Sequence, residues 1–166
     1  VTNRGKIAGM KTTRSVLAIL LFMLSLASTQ QASAAEDKDD REVAAFRLNM
    51  DKVNRFATAS KGLVQYRKEH KDSDDSDQDS QTLDAMVSKM NAHPALVKII
   101  QDARMTPREY ALTTLTLVTT GIAVSMKKQG VLKEYPASVS RENAAFIEQN
   151  YAKIESLLKG LQESQN

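Results

Sequence analysis

The chain is predicted to be an all-α protein, a small bundle of four helical legs around one buried central helix. Three observations carry that expectation. The stretch Thr106 to Gly130, TPREYALTTLTLVTTGIAVSMKKQG, holds no charged side chain between Tyr110 and Met126. A helix that is apolar or hydroxylated on every face belongs inside a bundle or a membrane. The segments around it space their apolar residues by three and four, and none alternates as a half-buried strand does. The central helix is also well bounded. Thr106 is placed to cap it, Pro107 suits its first position, and Glu109 completes a T-x-x-E box. Lys127 and Lys128 fall in its last turn, and Gly130 can take the left-handed position beyond it. The uncharged part is 17 residues, six of them Ser or Thr. That favours a buried helix over a membrane span, which needs about 20 predominantly apolar residues.

The N-terminal segment reads as an address. From Met10, Lys11 and Arg14 precede an apolar run from Val16 to Ala27, and Ala32-Ser33-Ala34 supplies a small-x-small cleavage pattern. Residues 10–35 are therefore predicted to be a Sec signal peptide cleaved near Ala34 or Ala35. Residues 1–9, ahead of Met10, are predicted to be an over-extended start. Residues 36–166 then form a single domain in the bacterial periplasm or the medium, with no integral membrane segment after cleavage.

Four basic residues, Arg4, Lys6, Lys11 and Arg14, and no acidic one precede Glu36, so the formal +3 of the chain becomes 19 basic against 20 acidic residues. The basic balance that would suggest nucleic acid belongs to the signal. The chain has no Cys, which excludes thiol catalysis, iron–sulfur clusters and covalent c-type haem.

Glu36 to Arg41 is a charged leader expected to fray. From Glu42 to about Lys68 one long helix is predicted, with Phe46, Met50, Val53, Ala57, Ser60 and Val64 on one face. Gly62 weakens it by about 1 kcal/mol relative to Ala. Its basic outer residues, Arg47, Lys52, Arg55, Lys61, Arg67 and Lys68, are interspersed with Asp51 and Glu69 and suit a solvated face. An acidic loop over 69–81 follows, with Asp72, Asp74, Asp75, Asp77 and Asp79 and no apolar residue. It fails the register of a calcium loop. Starting at Asp75 the glycine position is Ser80 and the final glutamate position Met86; starting at Asp72 they are Asp77 and Leu83.

Thr82 to Ala92 forms a short amphipathic helix on Leu83, Met86, Val87 and Met90. His93-Pro94 breaks it, and Pro94 opens a second short helix to about Arg104. After the central helix, Pro136 punctuates a connector and Ser140 caps the last helix. Its seam is predicted at Ala144, Ile147, Tyr151, Ile154, Leu158 and Leu161.

No nucleophile–base pair, phosphate-binding loop or zinc motif is present in the sequence, and the two histidines, His70 and His93, sit in no recognisable catalytic setting. The expectation is a non-enzyme with no required cofactor. One speculative ligand set stands out. Met86, Met90 and His93 share a helical face, and thioether with imidazole suits copper(I) or, as an axial pair, haem b. Packing of the two methionines into the core is the alternative. The functional expectation is an exported binding or interaction module for a protein or envelope partner, with no nucleic acid, and with the partner and oligomeric state left open.

The MTPREY segment, Met105 to Tyr110, following HPAL at His93 to Leu96, resembles a pattern in secreted helical proteins of Gram-negative bacteria that have no known activity. A more distant likeness is to small helical periplasmic chaperones with a repeated L-T-x-x-Q signature. Tyr110 stands where their Gln would be and the motif occurs once, so their function is not carried over.

Overall fold

The computed structural model describes residues 33–70 and 82–163, which form six helices and no strand: α1 Ser33–Ala45, α2 Met50–Glu69, α3 Leu83–Asn91, α4 Pro94–Asp102, α5 Pro107–Lys128 and α6 Arg141–Glu163. Residues 1–32, 71–81 and 164–166 lie outside that description. With them lie the expected over-extended start, most of the expected signal peptide and nearly all of the acidic loop. Among the described residues no helix is long and apolar enough to cross a membrane.

Helix α5 is the axis, in contact with all five other helices. Its ends follow the sequence. The Thr106 hydroxyl accepts from the Glu109 amide at 3.0 Å, and Gly130 adopts φ 74°. Ala111, Leu112, Leu117, Ala123 and Val124 are buried, and so are Thr113, Thr116 and Thr120. The Thr113, Thr114 and Thr119 hydroxyls donate to carbonyls four residues back, which satisfies buried Thr113 and half-buried Thr114 within the bundle. The Thr116 hydroxyl is buried without a partner among the described residues.

The predicted first helix is two helices. The chain leaves helical geometry at 46–49, and Asn49 caps α2 by accepting from the Lys52 amide at 2.8 Å. Asn followed by an acidic first turn is an N-cap signal in its own right, here overridden at the sequence level by continuous apolar spacing. The bend is pinned from α6. Asn143, 1% exposed, donates to the Phe46 carbonyl at 2.7 Å and accepts from the Leu48 amide at 3.0 Å. One side-chain amide thus satisfies both backbone groups freed by the break. The leader expected to fray belongs to α1, because Lys38 and Asp39 reach α3.

The last helix also departs from its predicted seam. Ala144, Ile147 and Ile154 are buried and Leu161 packs on the core, but Tyr151 and Leu158 are 36% and 37% exposed. The buried face runs instead through Asn143, Ile147, Ile154 and Leu157, with Asn150 half-buried. The two alternative seams share Ile147, Ile154 and Leu161, and the need for the Asn143 clamp selects the second. Lys128 covers the outward Tyr151 ring at 4.1 Å.

Two short helices, α3 and α4, meet at His93-Pro94, with Thr82 capping α3 and Pro94 opening α4. Gly62 of α2 packs against Ile99 of α4. A Cβ there would lie 2.7 Å from the Ile99 Cγ2, so the loss of helix propensity is offset by close packing. Helix α4 ends in a Schellman turn: the Met105 amide donates to Ile100 and the Arg104 amide to Gln101, with Arg104 at φ 59°.

Candidate functional site

The shifted titratable groups concentrate where α1 lies over the N-termini of α3 and α5. Arg108, in the first turn of α5, forks onto Glu42 of α1, with Nε and Nη2 donating at 2.8 and 2.6 Å. Its Nη1 donates to Asp84 of α3 at 2.7 Å, and the other Asp84 oxygen accepts from Lys38 of α1 at 2.8 Å. Asp39 of α1 accepts from the Leu83 amide at 2.7 Å, the first amide of α3. Negative side chains from α1 thus meet free amides and the positive end of the helix dipole.

The hydrogen bonds set the protonation. Those from Lys38 and then Arg108 hold the Asp84 carboxyl at about 2. The bond from Arg108 lowers Glu42, and the same partners raise Arg108 and Lys38. All four are charged across the ordinary pH range; Lys38 and Asp84 are more than half exposed and Arg108 and Glu42 about a third, so their ties are weakened by salt.

Beneath these charges lies an apolar cluster of Val43, Leu83, Ala111 and Leu112, flanked by half-buried Met86, Val87, Met90 and Leu115. Two of the three predicted ligands are here. Met86 and Met90 pack side by side against this cluster, and Met90 also reaches the main core. His93 sits exposed at the α3–α4 junction, where it is the N-cap residue of α4 without a side-chain capping bond. Among the described residues no group of three or more His, Asp or Glu is placed to hold a metal ion. Sequence reasoning missed Arg108, Glu42, Asp84 and Asn143. Their significance lies in pairings 24 to 97 residues apart, which periodicity does not encode.

A second polar region is a shallow cleft of about 480 Å³ lined by Asp51, Arg55, Thr58, Asp102, Ala103 and Arg104. Arg55 donates to the Arg104 carbonyl and to Asp51, both at 2.7 Å, and lies 3.6 Å from Glu109. Its Nε is buried without a partner among the described residues. Asp102 pairs with Lys98 at 2.7 Å. Of the charges in this cleft, Arg55 holds the α4–α5 turn against α2, through the Arg104 carbonyl and Glu109.

No protein-family model, curated protein or solved structure matches the chain.

Proposed function

We propose that the chain is an exported, non-enzymatic helical module, resident in the periplasm or medium, that binds a protein or envelope partner. In this reading α1 and α2 are one bent leg of a four-legged bundle, α3 and α4 the kinked leg, and α5 and α6 the other two. The observation that carries it is the use made of charge at the α1 corner. Arg108, Glu42, Asp84 and Lys38 join three helices to one another, a structural duty rather than an arrangement around a reacting atom. Beside them stands a half-buried methionine face of the kind adaptable binding surfaces use. The export reading rests on the N-terminal sequence, and the MTPREY and HPAL segments extend it to secreted proteins of Gram-negative bacteria.

The test is photo-crosslinking in the host envelope from exposed Ala85 on α3, with exposed Ala152 on α6 as control. A discrete adduct from Ala85 alone is expected, in a periplasmic or secreted fraction whose intact mass starts near Glu36. Adducts from neither position would contradict the reading.

A second reading keeps Met86, Met90 and His93 as ligands for copper or haem b, favoured by the adjacency of the two methionines. Reconstitution that retains no copper and yields no Soret band would end it.

A further inference from the structure

We infer that α1 is a displaceable strap, and that the groove beneath it, between α3 and α5, docks an acidic amphipathic helix of a partner protein. The inference rests on the interaction-module reading and supplies the chemistry of the partner.

The strap is lightly seated. Val43 is the one buried hydrophobic residue that α1 contributes among the described residues. Among its other ties are Asp39 on the Leu83 amide, Lys38 on Asp84 and Glu42 on Arg108. These partly exposed ion pairs weaken as salt rises. Met86, Val87, Met90 and Leu115 stay half-buried with α1 in place. An apolar trough between two helices, lined with adaptable methionine, fits the helix-in-groove mode of recognition.

Charge decides the occupant. Both α3 and α5 begin at this corner and direct their positive ends and Arg108 toward α1. Helix α1 answers with a lysine at 38, carboxylates at 39 and 42, and an aliphatic residue at 43. Residues three and four apart share a helical face, so K-D-x-x-E-V is the pattern a competing helix would present. Its lysine would meet Asp84, its carboxylates the Leu83 amide and Arg108, and its aliphatic residue the seat of Val43. The pivot is already built: Asn143 grips Phe46 and Leu48, so α1 can leave without pulling α2 from the core.

The experiment uses the full exported chain and a fluorescent peptide of residues 36–48 as probe. Val43→Asp places a charge in the apolar seat and frees the groove. The peptide is expected to bind this variant at least about ten-fold more tightly than the unaltered chain. Reversing the peptide's charges at positions 39 and 42 should abolish the gain. A second variant, Asp39→Ala with Glu42→Ala, loosens the strap without adding a buried charge and should bind the peptide with an intermediate gain. Equal or absent binding by all three chains, with their helical circular dichroism unchanged, overturns the inference. So does a dimer of the unaltered chain that Val43→Asp dissociates, because the occupant is then a second copy. Neither result touches the crosslinking at Ala85, so failure of the groove and failure of the module reading are told apart.

Discussion

The two apolar clusters of the bundle are closed by different forces. The main cluster joins α2, α4, α5 and α6 through Val53, Phe56, Ile100, Met105, Val124, Ala144, Ile147 and Ile154, all buried. The corner cluster, where α1 meets α3 and α5, has four buried members and is lidded by ion pairs half-open to water. Burial of apolar area is indifferent to salt and acid over ordinary ranges, whereas exposed ion pairs respond to both. The first region therefore sets whether the chain folds, and the second can rearrange while the fold persists.

The sharpest break of that contrast is to empty the main cluster. Ile100→Ala, at a fully buried position, should cost about 2–5 kcal/mol in urea denaturation. A loss near zero would mean that the main cluster is not what holds the fold. Removing the joint between the regions comes next. Asn143→Ala strands the Phe46 carbonyl and the Leu48 amide, and should cost at least about 2 kcal/mol, since each buried orphan costs about 1–3.

Two helix ends sharpen the comparison further. Arg104 and Gly130 occupy the same left-handed position in matching Schellman turns. After Arg104 comes Met105, 3% exposed, packed in the same cluster as Ile100; after Gly130 comes Val131, 63% exposed. Core burial and the Arg55 bond to its carbonyl hold Arg104 there, while the second turn relies on glycine alone. Arg104→Gly should therefore raise stability by about 1 kcal/mol and Gly130→Ala lower it by about as much; thermal melts read both.

The smallest effect is acid. Asp84 and Glu42 have carboxyls lowered from 3.8 and 4.5, Asp84 to about 2. Their folded values are below the unfolded ones, so their stabilisation is complete above about pH 5 and is lost as pH falls through the folded values. A pH titration followed by amide NMR should show α1 resonances shifting between about pH 4.5 and 2 while those of α5 hold until global unfolding.

How much of this was legible follows from the range of the interactions. Pro94 at the start of α4, the Thr106 cap of α5 and the glycine at 130 are local, so residue type and spacing reveal them. The central position of α5 follows from composition alone. The break at 46–49 was hidden because apolar spacing continued through it, and only Asn49 marked it. The outward turn of Tyr151 and Leu158 was hidden because the buried face uses Asn143 and Asn150, polar residues whose value depends on what they meet. The Met86–Met90 adjacency was visible from spacing, and the ion-paired corner above it was not. Arg104 in a glycine position gives no local signal, since its support comes from Arg55.

Hydrogen exchange on the full chain, comparing the last turn of α1 with the middle of α5 at low and high salt, tests the contrast most directly. The α1 amides are expected to be at least about 100-fold less protected than those of α5, and about 1 M salt to lower their protection further while leaving α5 unchanged. Equal protection in the two helices, insensitive to salt, would mean that α1 is part of the locked core and not a strap.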